Sequence, residues 1–409
     1  MQYGIYRRGS DTSTRLADLV RPGDKPRLDD DFWQAFGVPA PGRTLFEGLD
    51  EDEPIIPEPA VWQMNLPDEA LAADLRTLVR TEVAKCAVDA VSVSGGIDSA
   101  AVACILKPKV VFSCTYPGKA YEELEYAKIV AEHIGARHVI VQPDAEYAKS
   151  VLPLIVEAVG QPIFPSSAIG CWAVCEAAKR EGIRSIADGA GPDELFGGYV
   201  RYALVLEEDR LARIPELADY VPMVKRFWGP HAFEHPAARY YDLLRSGGPA
   251  DDAPLALVHR EFDGASGLVA AMTRVDLRLG MRGFMAMTTG CSRAHGLEWR
   301  SPIFTDAIVS SALGMPDQVK IRYGCGKWVF RQAMRGTVPD RILDRTDKKG
   351  WVTPVASWFS GPLEDWANSL RRCLADREIV PRKDPSRGEF DQSTFQDCCL
   401  ELWMRRFGG

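Results

Sequence analysis

The sequence predicts an α/β fold, a mostly parallel sheet covered by helices with a C-terminal helical layer beside it. Three observations predict it. Short β-branched runs alternate with helical stretches through residues 87–187, a glycine-rich turn joins the first run to its helix, and no strand signal follows Tyr199. Strands that alternate with helices are joined by right-handed crossovers, which makes the sheet parallel and buries both of its faces.

The elements follow in order. Residues 1–66 are rich in turn formers and acids, as in Asp29-Asp30-Asp31, and read as an extended lead-in with little core of its own. Across residues 67–85, Leu71, Leu75, Leu78, Val79 and Val83 recur at helical spacing and predict an amphipathic helix. Residues 87–93 form a first strand and residues 100–106 its helix. Residues 109–114 are a second buried strand, 122–134 a helix and 138–141 a third strand. Helical sequence fills 147–159 and 168–180, and 183–187 is a fourth strand. Residues 204–313 and 327–334 read as helical, so residues 67–409 form one unit behind the lead-in.

Composition bounds the function. Of 409 residues 46% are hydrophobic and 26% charged, the balance of a chain with a real core rather than a disordered one. A formal net charge of -8 points to small-molecule substrates and away from a nucleic-acid partner. Neither a basic aromatic tract nor an apolar run near the ~20 residues of a membrane span is present, so no RNA or membrane partner is expected. The ten cysteines are scattered without a C-x-x-C pair and read as reduced core thiols. Met1 to Arg8 lacks the apolar stretch of a secretory signal, and a cytoplasmic location is expected.

The clearest chemistry lies in Ser94-Gly95-Gly96-Ile97-Asp98-Ser99, between the first strand and its helix. Backbone N–H groups in such a turn converge on an anion, and glycines let phosphate oxygens approach closely. Ser94 and Ser99 add hydroxyl donors. Asp98 would repel bare phosphate, so a divalent cation between carboxylate and phosphate is implied. The loop lacks the Lys-Ser or Lys-Thr pair of the Walker type.

This loop resembles the pyrophosphate loop of the ATP pyrophosphatase superfamily, whose members split ATP between the α and β phosphates on an adenine nucleotide α-hydrolase-like fold. Within it, the chain is similar to the synthetase domain of the asparagine synthetase family. Asp188-Gly189-Ala190-Gly191-Pro192-Asp193-Glu194-Leu195-Phe196-Gly197-Gly198-Tyr199 resembles the family's S-G-E-G-x-D-E-x-F-G-G-Y. His295 to Pro302 resembles H-S-L-E-A-R-V-P, Lys327 to Ala333 the K-x-x-L-R-x-A helix, and Lys348 to Pro354 the K-x-G-F-x-x-P loop. The resemblance implies ATP and Mg2+ as cofactors, with Asp98 and Asp193 on the metal. It puts Ser94, Gly95, Gly96, Ser99, Asp188 and Gly189 against the nucleotide. Val93 and Cys114 fall where the family lines the adenine pocket, or are simple strand packing. Lys348 matches the lysine that balances charge at the reacting groups. Glu298 and Arg300 are a charge pair near the acyl acceptor or a structural tie.

Residues 43–49 look like the segment where the family's glutaminase domain hands over to its synthetase domain, and Gln2 stands where that domain has its cysteine nucleophile. Residues 1–66 are thus expected to be a linker remnant, without glutamine hydrolysis. Three positions depart from the pattern. Ala190 replaces an acid–base glutamate, Thr289-Gly290 replaces an Asp-Arg pair, and Thr305 replaces the aspartate that closes P-F-L-D. An intact phosphate loop with an altered acyl side implies the same activation chemistry on a different acid or amine. The expected reaction adenylates a small-molecule or peptide carboxylate and passes the acyl group to ammonia, partner-supplied ammonia or an amine. Closure of an internal lactam, a non-catalytic nucleotide-binding subunit and a tRNA-modifying enzyme are the alternatives.

Overall fold

The computed structural model describes residues 3–62, 67–116, 118, 123–163, 165–214, 223, 225, 232–245, 252–346, 353–379 and 392–408. The lead-in is more ordered than its composition suggests. Strand β1 (Tyr6–Arg8) pairs antiparallel with β2 (Asp11–Ser13) and β3 (Asp50–Glu51) in a small sheet. Helix α1 (Asp31–Phe36) starts at Asp30, whose carboxylate accepts from the Trp33 N–H at 3.0 Å. Leu16, Trp33, Leu45, Phe46 and Leu49 are buried, but they build no core of their own. They join the apolar cluster of the main body, where the Phe46 ring lies 5.1 Å from that of Trp403.

Helix α2 (Asp68–Ala84) buries Leu71, Leu75, Val79 and Val83, the stripe its spacing requires. The central sheet then assembles from β4 (Ala90–Ser92), β5 (Val110–Cys114), β6 (Arg137–Val141), β7 (Ser185–Ala187) and β8 (Glu298–Arg300). Its order is β6-β5-β4-β7-β8 and every neighbouring pair is parallel. Four helices connect the first four strands: α3 (Ile97–Leu106), α4 (Leu124–Ile134), α5 (Ala145–Val159) and α6 (Ala168–Arg180). Strand alternation divides the side chains between two cores. Ala90, Phe112 and Ile186 face the cluster containing α5 and α6, while Val91, Val111 and Ala187 face that of α2, α3 and α4.

One strand of the central sheet was not legible. No strand was expected beyond Tyr199, yet β8 is the fifth strand, in register Ser185↔Glu298, Ile186↔Trp299 and Ala187↔Arg300. Three residues, two of them charged, carry no periodic signal, and pairing to β7 alone makes them a strand. The rest of the second half is helical, from α7 (Pro192–Leu195) and α8 (Val200–Ala212) to the helix Ser393–Phe407. No helix among the described residues is long and apolar enough to cross a membrane.

Two departures from the family pattern have packing reasons. Gly290 lies in the helix Gly280–Ala294, and a Cβ there would sit 2.8 Å from Val159 Cγ2 and 2.9 Å from Val159 Cα on α5. A bare backbone is what lets the two helices meet. Thr305 is the N-cap of the helix Asp306–Gly314, accepting from the Ile308 N–H at 3.4 Å.

Candidate nucleotide and acyl-transfer site

The strand order reverses between β4 and β7, and a crevice outside the C-terminal ends of those strands is where open α/β sheets take ligands. A cavity of about 320 Å3 opens there. Its walls are Ser94, Asp98 and Ser99 after β4, residues 188–191, Asp193 and Glu194 after β7, and Tyr199, Arg201, Asp276 and Phe284 opposite.

The loop after β4 needs its glycines for packing. Gly95 has φ +84°, and a Cβ there would lie 2.7 Å from the Glu123 carbonyl oxygen and 2.9 Å from Tyr126 Cβ. Gly96 caps α3 with extended backbone. The serines brace the turn: the Ser94 N–H donates to Ser99 Oγ at 3.1 Å, the Gly96 N–H to Ser94 Oγ at 3.3 Å, and Ser99 Oγ to the Gly96 carbonyl at 3.3 Å. The Arg345 guanidinium donates to the Gly95 carbonyl at 3.0 Å from the far side. Gly189 presses on the same turn, since a Cβ on it would fall 2.2 Å from the Ser99 nitrogen. Its role in this structure is therefore to let the β7 and β4 loops touch.

Asp98 is buried at the start of α3, and Asp193 lies in α7. Both reach one cation. Lys327 Nζ is 2.6 Å from Asp98 Oδ2 and 2.6 Å from Asp193 Oδ1, with only 3% of its side chain exposed. The donor set fits a magnesium ion, which takes one or two carboxylates and fills its shell with phosphate oxygens and water. Among the described residues no group of three or more His, Cys, Asp or Glu forms a metal cage.

Asp188 is buried, which raises its carboxyl above the ordinary range, while hydrogen bonds from Trp299 Nε1 and the Ala190 N–H work against the rise. Those bonds measure 2.8 Å and 3.1 Å; the first ties β8 to the end of β7 and the second closes the turn that follows it. Glu194 is pushed up to about 7, first by burial and then by Asp193, against the pull of the Tyr199 hydroxyl donating to it. That bond is 2.6 Å long. Beyond Tyr199, Arg201 stacks on its ring at 3.9 Å and donates to Asp276 at 2.6 Å.

The structure thus brings Ser94, Asp98, Ser99, Asp188, Gly189 and Asp193 to one cavity, with Gly95 and Gly96 in the turn between Ser94 and Asp98 but not in its lining. Val93 and Cys114 end neighbouring strands beside it without lining it. Glu298 and Arg300 are elsewhere. They are exposed on edge strand β8, paired to each other at 2.6 Å, with Arg300 also donating to the Ala87 carbonyl at 3.2 Å. Strand alternation sends Trp299 inward to Asp188 and its two charged neighbours to the other face. Lys348 lies outside the described residues. The sequence reading gave no role to Lys327, Glu194, Tyr199, Arg201 or Asp276. Lys327, Glu194 and Tyr199 had a signal, since all three stand in quoted motifs; Arg201 and Asp276 had none.

Known proteins are similar to this chain over much of its length. Asparagine synthetase (glutamine-hydrolyzing) 1 of Bacillus subtilis is 26% identical over 309 residues, 68% of this chain and 48% of its own length. A Mycobacterium tuberculosis protein provisionally named asparagine synthetase (glutamine-hydrolyzing) is 28% identical over 311 residues, 67% of this chain and 46% of its own. This chain spans about half the length of these relatives. The solved NH3-dependent NAD synthetase of Campylobacter jejuni is similar over 54% of this chain and 96% of its own, at 14% identity and a TM-score of 0.23. Residues 72–399, a stretch that holds the loop, both carboxylates and Lys327, match the model of asparagine synthase, and the chain belongs to that family.

Proposed function

We propose that this chain is an ATP-dependent carbon–nitrogen ligase. It activates a carboxylate as its adenylate, releases pyrophosphate, and passes the acyl group to ammonia or an amine. The observation that carries the proposal is the meeting of Asp98, Asp193 and Lys327 beside the loop of residues 94–99.

A carboxylate oxygen of the acid attacks the α-phosphorus of ATP. The bond from that phosphorus to the bridging β oxygen breaks, and its electrons leave with pyrophosphate. The nitrogen lone pair then attacks the acyl carbon, the carbon–oxygen bond to AMP breaks, and the nitrogen sheds a proton. The loop and the start of α3 hold the leaving pyrophosphate, and Lys327 adds positive charge beside it. Mg2+ on Asp98 and Asp193 would neutralise phosphate charge. Val93 and Cys114 are proposed for the adenine wall, and Lys348 for charge balance at the reacting phosphate. Positioning and fixed charge do most of this work. Ala190 has no group to take the proton, whereas Glu194 in the same wall carries a carboxyl that could. Glu298 and Arg300 are given no step, because they sit outside the cavity.

The test is acid-dependent ATP–pyrophosphate exchange across a panel of carboxylic acids, with Asp98→Asn and Asp193→Asn as controls. Each variant removes a charge at nearly constant shape. Both should lose at least 100-fold in exchange at limiting Mg2+ while keeping native circular dichroism. Wild-type exchange by either variant overturns its assignment.

A further inference from the structure

A second chamber of about 280 Å3 adjoins the cavity, and Arg201, Asp276, Gly280 and Phe284 line both. The rest of its lining is apolar, chiefly Phe36, Val38, Leu243, Leu244 and Leu279. A volume of this size is near the lower end of the ~300–1,000 Å3 of small-molecule sites.

The geometry points to a substrate acid with an apolar body, seated in this chamber with its carboxylate at the nucleotide end; this inference rests on the ligase reading above. Arg201 and Asp276 are the chamber's charged side chains among the described residues, and they are already engaged. Asp276 Oδ1 accepts from the Tyr240 hydroxyl at 2.7 Å, and Oδ2 accepts from the Tyr202 hydroxyl at 2.8 Å and from Arg201 at 2.6 Å. Arg201 Nε is spent on the Tyr240 hydroxyl at 3.1 Å. An amino acid such as aspartate would bring an ammonium and a second carboxylate into this space. Burying those charges without fresh partners is costly, whereas an apolar chain gains by leaving water. Ala190 extends the same logic, for the first cavity has a methyl group where a family glutamate would add another charge.

Gly280 provides the handle. It opens the helix Gly280–Ala294, lines both chambers, and has nothing within 4 Å of where a Cβ would stand. Gly280→Phe therefore places a ring at the wall that both chambers share, with nothing close to its Cβ. The probes are non-hydrolysable acyl-adenylate mimics, the acetyl, butyryl, hexanoyl and aspartyl sulfamoyladenosines, titrated by calorimetry. In the native protein affinity should rise about threefold to fourfold per methylene from acetyl to hexanoyl. The aspartyl mimic should bind at least tenfold more weakly than the hexanoyl one. In Gly280→Phe the acetyl mimic should bind as it does to the native protein while the gain with chain length vanishes, a pattern that a loss of fold, which removes all binding, cannot imitate. Tightest binding of the aspartyl mimic, or no gain with length in the native protein, overturns the apolar substrate and leaves the ligase standing. Failure of all four mimics to bind overturns the ligase reading itself.

Discussion

A single lysine holds the two carboxylates that matter most. Lys327 reaches Asp98 across 229 residues of sequence, and no local pattern could have announced that pairing. Glu194 is the other residue whose chemistry depends on its surroundings. Its carboxyl moves from an ordinary 4.5 to about 7, because burial and the neighbouring Asp193 both disfavour the charged form. The folded state therefore holds the Glu194 proton more tightly than the unfolded chain does. The stability this contributes is fully present below pH 4.5, declines as pH rises to about 7, and is absent above. Glu194→Gln keeps an acceptor for the Tyr199 hydroxyl and removes the titration. Relative to the native protein, the variant should gain stability as pH rises from 4.5 to 7, by up to about 3 kcal/mol, and hold that gain above. Urea unfolding of both proteins at pH 5 and pH 8 measures it.

Elements were legible where short-range rules build them. The first four strands are β-branched runs, and α2 showed its stripe, because each satisfies its own periodicity before meeting the rest of the fold. The N-caps follow the same local chemistry. Asp144 opens α5 by accepting from the Tyr147 N–H at 2.8 Å, and Thr305 opens the helix Asp306–Gly314 in the same way. Thr305 thus keeps a capping oxygen where the family has an aspartate. Thr305→Ala should cost about 1 kcal/mol of stability and Thr305→Asp nothing, with pyrophosphate exchange unchanged in both. Thermal unfolding beside the exchange assay separates the cap from any role in the reaction. Strand β8 lies at the other extreme. Its three residues are a strand only because β7 offers a free edge, and that edge also decides where Glu298 and Arg300 point.

At the scale of the whole molecule, the lead-in is bound to the second half through Arg282. Its Nη2 donates to Glu51 at 2.6 Å, its Nη1 to the Pro39 carbonyl at 2.7 Å, and the pair is almost wholly buried. Arg282→Met leaves the Glu51 carboxylate buried without its charge partner and should cost about 3–5 kcal/mol. Adding Glu51→Leu should recover most of that loss, because the stranded charge is gone. Denaturant unfolding of the single and double variants gives the comparison. Gly290 contributes at this scale as well, since its missing side chain sets how closely the helix Gly280–Ala294 lies on α5. By itself the sequence determined the glycine-rich turn of residues 94–99, the first four strands and their helices, because turn chemistry and side-chain period act over a few residues. Only the tertiary structure decided that Lys327 joins Asp98 to Asp193, that the lead-in completes the main core, and that an apolar chamber opens behind Arg201. Each of those depends on contacts between residues far apart in the chain, and the free energy of such contacts exists only once the surrounding elements have packed.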